Sequence, residues 1–593
     1  MFVGPVLTRE VATAPRNWRL YFFRAVYVAA LFGLACTAWL ILFGSQPVRT
    51  LGDLARFGAA VFSLLAPVQL ALATAFSALL TAAAVAQEKD RRTLELLLMT
   101  RLTNSELVLG KLLASMLLVL VLVLAGVPLL MLLALLGGIA HEQVARVCGV
   151  TLTAALAAGG IGSTIALWRE KTFQSLAMTA LALVAWLLAG EAIHSGWLGE
   201  AWGGASTARW AEAVSPVRAI FAASRPPTGF EPLFASAPAL GDAARAFMVF
   251  SGALAILLNA IAIALVRVWN PTREARPRTE DDQRALAPAA ETNVHAAPGR
   301  SREVWDNPIL WREICTWAYG KKVVFVRVAY LAIFAACAAA TARAVDANAA
   351  AGATPLVELA RPIIPLLILG LVLVNALAVT SLTNERDSRA LDLLLVTDLT
   401  PKEIIFGKLG GVLYNAKEMI VLPALLCVGL WWYERLTTEN LVFLLLSLAM
   451  LNAFVSMLGI HAGMIYPESR AAVGVSIGTL LFLLLGVAVC MRIMVAFQTR
   501  FETQLLAFAA FMLGGGIGLF IVLGRRNPSH AIGWASMLAP WATFYVISAF
   551  LQGGYGAATL VTLLMYGFAT AALLIPAIYE FDVATGRTTA KDL

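Results

Sequence analysis

Apolar segments about as long as a membrane span alternate with short charged segments along the whole chain. A helix needs about 20 mostly apolar residues to cross the hydrocarbon core of a bilayer. In the first half, six runs without Asp, Glu, Lys or Arg have about this length or more. Each predicts a spanning helix: Ala25–Val48, Phe57–Gln87, Leu112–Ala140, Val147–Trp168, Thr172–Gly190 and Ala246–Val266.

The second half predicts six further spans, near Val323–Thr341, Pro362–Thr383, Leu409–Tyr433, Leu441–Ile465, Ala471–Met491 and Thr503–Gly524. The stretch 527–579 then contains none of those four charged residue types and is long enough for two more spans, broken at Gln552-Gly553-Gly554. This interpretation gives fourteen spans. A twelve-span alternative makes 504–551 a re-entrant hairpin, but it would bury Arg525 and Arg526 near the midplane, where charge is costly.

The composition supports the same fold class. The chain of 593 residues is 60% hydrophobic and 13% charged, whereas an average soluble domain is about 25% charged. This excludes a disordered chain and argues strongly against a water-soluble fold. A membrane β-barrel is excluded as well, because its strands alternate in segments of about 10 residues. We therefore predict an all-α polytopic membrane protein with about 12–14 transmembrane helices.

The placement of the positive charges predicts the orientation. Arg16, Arg19 and Arg24 precede the first span and only Arg49 follows it, so the positive-inside rule places the N-terminus in the cytoplasm. Alternation then places segment 87–111 inside, and fourteen spans place the C-terminus inside too. The net charge of +8 is typical of cytoplasmic loops that face anionic lipid. We expect membrane lipid as a partner and no nucleic acid.

A polar segment divides the chain into two parts. Residues 269–304 carry mixed charge and four prolines between Pro271 and Pro298, and they are too polar to bury a core. We predict a flexible cytoplasmic linker here, between a first half at 1–268 and a second half at 305–593.

The two halves contain an internal repeat. Residues 88–112 and 385–409 are identical at 14 of 25 positions, without a gap. Pro5-VLTRE before the first span is similar to Pro308-ILWRE before the seventh. Both repeated loops fall on the cytoplasmic side, so the halves have the same orientation and are parallel repeats related by an axis along the membrane normal.

The repeated charged loop predicts a functional element. Leu94, Leu97 and Leu98 share one helical face and indicate a short amphipathic helix at the membrane boundary. Such a helix would either cap two spans or dock a partner, and its repetition favours docking for a partner with twofold symmetry. The candidate docking residues are Glu88, Asp90, Arg92, Glu95, Glu106, Lys111, Glu385, Asp387, Arg389, Asp392, Glu403 and Lys408. Two interfacial helices are predicted around Arg9 and Glu10, and around Arg312 and Glu313.

These motifs resemble the permease subunit of ABC-2-type exporters: an acidic and a basic residue, T-L-E-L-L-L, Thr, Glu, then Gly-Lys before a span. Such permeases usually have six spans, an N-terminal interfacial helix and a coupling helix between spans two and three. The resemblance covers both halves and implies two permease halves fused in one chain, in a bacterial cell membrane. The family often has Gly before T-L-E and Pro after the Thr. Here Arg92 and Arg389 replace that Gly, and Arg101 and Asp398 replace that Pro, which leaves open whether the halves dock equally.

The resemblance implies a transport subunit and not an enzyme. Nucleotide-binding loops end in Gly-Lys-Ser/Thr, but Gly110-Lys111 and Gly407-Lys408 are each followed by Leu. We therefore expect no cofactor bound by this chain. ATP and Mg²⁺ are expected on a dimer of separate ABC ATPase subunits docked on the coupling helices.

Two polar groups inside predicted spans are candidates for a path or gate. Thr74, Ser77 and Thr81 share one helical face, and they would line a path or bond to a neighbouring helix. Lys417 and Glu418 would either reach the interface as an ion pair or gate the path. The five histidines do not cluster, so we expect no metal site. A secondary transporter and an intramembrane lipid-modifying enzyme are the alternative functions.

Overall fold

The computed structural model describes residues 5–13, 18–45, 50–197, 199, 201–202, 205–226, 242–271, 303–316, 323–349, 356–497, 501–524 and 529–582. Most of the predicted linker 269–304 lies outside the described residues, as do Arg525, Arg526 and the final eleven residues of the chain.

The first half contains ten helices and one two-stranded antiparallel sheet in its described residues. In chain order they are α1 (Pro5–Thr13), α2 (Trp18–Ser45), α3 (Leu51–Asp90), α4 (Thr93–Leu98), α5 (Asn104–Leu135), α6 (His141–Trp168), α7 (Thr172–His194), β1 (Ala201–Trp202), β2 (Ala205–Ser206), α8 (Thr207–Val214), α9 (Pro216–Ser224) and α10 (Ala243–Trp269).

The second half continues with eleven helices in its described residues. They are α11 (Pro308–Cys315), α12 (Val323–Ala349), α13 (Leu356–Asp387), α14 (Ala390–Leu395), α15 (Pro401–Asn415), α16 (Lys417–Trp432), α17 (Thr438–Ile465), α18 (Ser469–Phe497), α19 (Phe501–Gly524), α20 (His530–Leu551) and α21 (Tyr555–Tyr579).

Within the described ranges, thirteen helices are long and apolar enough to cross a membrane. A fourteenth is added if α15 and α16, which meet at a bend of 53°, form one broken span. The prediction of an all-α polytopic membrane protein is thus confirmed at the level of fold class. The predicted straight span Leu409–Tyr433 is wrong in detail, because the helix breaks at Ala416 and its first part starts earlier, at Pro401.

The two halves meet along one surface, which we call the seam. The seam includes α3 against α18 and α7 against α13, and α2 against α19 and α7 against α12 extend it. The first two are corresponding pairs, because α3 and α13 carry the repeated loop at their ends, and the first residues of α7 and α18, Thr172 and Ser469, differ by 297 in number, as the repeat does. One apolar cluster runs through the seam and includes Leu79 and Phe173 from the first half and Leu373 and Ile477 from the second. Burial of this surface joins the two bundles.

Small residues let the helices of each bundle approach closely. A Cβ on Gly162 of α6 would lie 2.3 Å from the carbonyl oxygen of Ala78 on α3. A Cβ on Gly459 of α17 would lie 2.9 Å from the carbonyl oxygen of Asn375 on α13. Both pairs of positions differ by 297 in number, as the repeat does. The same helix crossing is therefore built twice, and the glycines are helix-packing residues as expected for small residues in spans.

The repeated loops lie at the same end of the molecule, which we call the charged face. The helix α17 also ends at this face, because Arg386 donates to the Met464 carbonyl oxygen at 2.8 Å. Tyr466 donates to the carbonyl oxygen of Val522 at 2.8 Å, which places the end of α19 there too. The helices α19 and α20 are thus consecutive passes that meet at the charged face. This agrees with the fourteen-span interpretation and not with a hairpin entering from the opposite side.

Candidate functional site

Each half carries a short helix at the charged face, after its second long helix. Arg92 adopts the left-handed conformation, with a φ of 58°, immediately before α4. Arg389 does the same before α14, with a φ of 57°. A left-handed residue reverses the course of the backbone locally. The same strained turn therefore starts both short helices, and a glycine at this position would adopt it without the steric cost of a Cβ.

The next helix in each half begins with the same capping box. The Glu106 carboxylate accepts from the Thr103 backbone N–H at 3.0 Å, while the Thr103 hydroxyl accepts from the Glu106 N–H. Thr400 and Glu403 repeat the arrangement at 2.8 Å and 3.3 Å. A capping box satisfies backbone donors that the first helical turn leaves unpaired. Glu106 and Glu403 thus fix where α5 and α15 begin.

The helices α4 and α14 bury one face and expose another. Leu94 and Leu98 are buried and Leu97 is half-buried, so the face predicted from the sequence is the one turned inward. The opposite sides expose apolar side chains at corresponding positions: Leu96 (65%) and Met99 (68%) on α4, Leu393 (75%) and Val396 (86%) on α14. The charged side chains of Arg92, Glu95, Arg389 and Asp392 are exposed around them. We call these two surfaces the docking patches.

A buried ion network attaches α11 to the charged loop of the second half. Lys408 is 1% exposed, and its ammonium group lies 2.6 Å from the Glu313 carboxylate and 2.5 Å from that of Glu385. The Arg312 guanidinium contacts Glu385 as well. Buried charges are tolerated only when they are paired and hydrogen-bonded. The four predicted residues therefore form one unit that holds α11 against α13 and α15.

The first half has a corresponding pair. The Lys111 ammonium contacts the Glu88 carboxylate, and Lys111 is 8% exposed. In α1, Arg9 is exposed, while the side chain of Glu10 lies outside the described residues. The two halves thus share the Lys–Glu pair.

A set of contacts that the sequence did not reveal lies behind the docking patches. Lys89 donates to the carbonyl oxygens of Leu167 and Arg169, the latter at 2.9 Å. Arg386 donates in the same way to Met464 and Tyr466. The C-terminal ends of α6 and α17 are therefore hydrogen-bonded to the loops that carry the short helices α4 and α14. The available signal was a basic residue at the same position of both repeats.

The aspartates of the loops make a second such connection. Asp90 accepts from the Thr172 hydroxyl, and Asp387 accepts from the Ser469 hydroxyl. Thr172 and Ser469 are the first residues of α7 and α18. Asp90 and Asp387, predicted as docking residues, therefore tie the short helices to the helices of the seam.

Among the described residues, an ion pair joins the two halves. Arg91 Nε lies 3.1 Å from Asp387 Oδ1, and the Asp387 side chain is 3% exposed. The residue that corresponds to Arg91 in the second half is Ser388, which carries no charge. The contact is therefore made in one direction only.

Two further arginines stabilise the first-half site, and neither was predicted. Arg267, near the end of α10, donates to the Asn104 side chain at 2.8 Å and to the Leu98 carbonyl oxygen at 3.2 Å. The Arg169 guanidinium lies over the rings of Trp168 and Phe325, 3.3 and 4.6 Å from their centroids. Burial lowers the pKa of Arg169, and the negative charge of Glu170 opposes this shift.

The polar stripe on α3 contacts neighbouring backbone. Thr74 donates to the Leu70 carbonyl oxygen at 2.8 Å within its own helix. Ser77 donates to the carbonyl oxygen of Ala155 on α6 at 2.6 Å, and Ser77 and Thr81 are both buried. These contacts favour the helix-packing alternative for the stripe.

Lys417 and Glu418 lie at the break between α15 and α16. The Lys417 ammonium lies 4.3 Å from the ring centroid of Tyr414. Glu418 Oε1 lies 3.7 Å from Arg327 Nη1, and both side chains are partly exposed. Arg327 comes four residues after the start of α12, which is about 6 Å along a helix. Glu418 is therefore paired with Arg327 close to the start of α12.

The donor sets do not favour a metal ion. Among the described residues, no group of three or more His, Cys, Asp or Glu side chains has an arrangement that would hold one. Comparisons with family models, curated proteins and solved structures give no match to this chain. The functional conclusion therefore depends on the geometry of the charged face and on the repeated loop.

Proposed function

We propose that this chain is the membrane-spanning permease of an ATP-driven ABC-2-type export system in a cell membrane. Separate ATPase subunits would dock on α4 and α14 from the cytoplasm and drive the outward movement of a substrate.

The observation that carries this proposal is the pair of docking patches. Leu96 and Leu393 are exposed by 65% and 75% at corresponding positions, on short helices that lie at the same face of two parallel repeats. Exposed apolar side chains with a charged rim are typical of a protein interface. Two such patches on pseudo-symmetric halves suit a partner that is itself a dimer.

The contacts behind the patches suggest how movement would reach the spans. Lys89 and Asp90 connect the turn before α4 to α6 and α7, and Arg386 and Asp387 connect the turn before α14 to α17 and α18. A displacement of either short helix would therefore move several long helices together. On this proposal, closure of the ATPase dimer draws the two patches towards each other. This movement shifts the seam between inward-open and outward-open arrangements.

Co-purification of ATPase activity tests the proposal. The full chain, tagged and extracted from its native membrane in mild detergent, is expected to carry a vanadate-sensitive ATPase and polypeptides that photo-cross-link to 8-azido-ATP. The double variant Leu96→Asp/Leu393→Asp should lose most of this activity, because a charge placed in an apolar interface core must be desolvated.

Val304→Asp is the matched control, because Val304 is also an exposed apolar residue, 57% accessible, but lies outside both patches. It should retain the ATPase. Transport that persists in proteoliposomes without any ATPase and follows an ion gradient would overturn the proposal in favour of a secondary transporter.

A further inference from the structure

The two docking patches differ in charge. Segment 91–101, which contains α4, holds three arginines and one glutamate, for a net charge of +2. The corresponding segment 388–398 holds one arginine and two aspartates, for a net charge of −1. The apolar centres are alike, but the two segments have net charges of opposite sign.

The main inversion is at Arg101 and Asp398. Both residues follow their short helix by the same number of positions, and both are exposed. Neither forms an ion pair within the part of the chain that the structure describes. Arg91 contributes less to the difference, because it is paired with Asp387 across the seam. Lys402, just beyond the second segment, brings the net charge there from −1 to zero, so the contrast between the rims lies in Arg101 against Asp398.

The second patch also borders a groove that is lined in part by charged side chains. The groove has a volume of about 520 Å³ and is lined by residues of α11, of α14 and of the segment that follows α14, including Arg312, Thr397 and Asp398. A partner side chain that enters this groove meets Asp398, together with Arg312 and Glu403.

We propose that the two patches receive two non-identical ATPase subunits, one with an acidic rim opposite Arg101 and one with a basic rim opposite Asp398. This rests on the proposed function. Two identical subunits would present the same rim to both patches, and one of the two contacts would then place like charges together. Like charges at an interface disfavour binding, and complementary charges select the partner.

Charge reversal tests the inference on the intact complex. The full chain is purified from native membranes as wild type, Arg101→Asp, Asp398→Arg and the double swap. The ATPase polypeptides are identified by 8-azido-ATP cross-linking and counted by native mass spectrometry. Wild type should carry two different ATPase polypeptides, one copy of each. Arg101→Asp should weaken binding of one of them, and Asp398→Arg should weaken binding of the other, each by about tenfold or more.

The controls separate a rim effect from misfolding. Glu439→Lys reverses an exposed charge at the start of α17, on the opposite face, and should leave both ATPase subunits bound. Arg101→Gln and Asp398→Asn remove the charges without repulsion and should show the same selectivity with smaller effects. Both selective losses should shrink at high salt, because salt screens exposed charges.

The outcomes are distinct. Two copies of one ATPase polypeptide on the wild-type chain, or two different ones that both variants lose equally, overturn this inference and leave the proposed function standing. No ATP-binding polypeptide on the wild-type chain overturns both.

Discussion

Lys408 lies among groups that depend on its positive charge. Its ammonium contacts the Glu313 and Glu385 carboxylates and donates to the Ser381 carbonyl oxygen at 3.1 Å, and the Lys408 side chain is 1% exposed. Removal of one member of a buried ion network leaves the others without compensation, and this typically costs about 3–5 kcal/mol. At the residue scale, α11 is therefore attached to α13 and α15 by a small number of buried charges.

We predict that Lys408→Met lowers the thermal unfolding midpoint of the detergent-solubilised protein, with a loss of about 3 kcal/mol or more in unfolding free energy. Lys402→Met, an exposed lysine of the same helix, is the control and should stay close to wild type. The double variant Lys408→Met/Glu313→Gln should recover part of the lost unfolding free energy, because Glu313→Gln removes one uncompensated carboxylate. Equal midpoints for Lys408→Met and Lys402→Met would show that the network does not contribute to stability.

The left-handed arginines give a prediction of the opposite sign. Arg92 and Arg389 have φ values of 58° and 57°, which cost a residue with a Cβ about 1–2 kcal/mol. Arg92→Gly and Arg389→Gly should therefore raise the unfolding midpoint, and together they should raise it further. Arg92→Ala keeps the Cβ and is the control without a gain. The result that contradicts this prediction is an alanine variant as stable as the glycine variant.

At the element scale, the spans form because apolar runs of sufficient length repeat, and they are placed by small residues and caps. The sequence predicted the existence of the helices from hydrophobicity alone. It did not predict that α3 extends from Leu51 to Asp90, because the Thr50–Asp53 capping box starts the helix before the apolar run. It also missed the break at Ala416, since no proline or glycine marks that position.

The close crossing of α3 and α6 can be tested with glycine substitutions. Gly162→Ala should destabilise the protein by about 1–3 kcal/mol, because the new methyl would overlap the Ala78 carbonyl oxygen at 2.3 Å. Gly459→Ala should do the same at the corresponding crossing. Gly252→Ala in α10 is the control, since nothing lies within 4 Å of a Cβ there. It should be neutral or slightly stabilising, because alanine favours a helix. Unfolding midpoints in detergent are the measurement, and equal values for Gly162→Ala and Gly252→Ala would refute the close crossing.

At the scale of the whole molecule, the repeat predicted the loops that carry the docking patches, because 14 of 25 positions are identical there. The roles of individual residues were less predictable. Glu106, which was predicted as a docking residue, also caps α5, since capping and docking both select an acidic residue at a helix start. The contacts of Lys89 and Arg386 depend on α6 and α17, which are distant in the sequence. Such contacts between residues distant in sequence are set by how the helices pack, so the sequence alone does not predict them.

The arrangement of α19 and α20 gives the last prediction, which concerns the topology of the whole chain. Because Val522 contacts Tyr466 at the charged face, His530 at the start of α20 should lie on the same side of the membrane as Arg101. We predict that His530→Cys and Arg101→Cys, in a background without the six native cysteines, react with a membrane-impermeant maleimide only in inside-out vesicles. Glu439→Cys, at the start of α17, should react only in right-side-out vesicles, and it confirms that the vesicles are sealed. If His530→Cys instead reacted in right-side-out vesicles, as Glu439→Cys is expected to, the α19–α20 connection would lie on the outer side. That result would exclude two complete passes in this region.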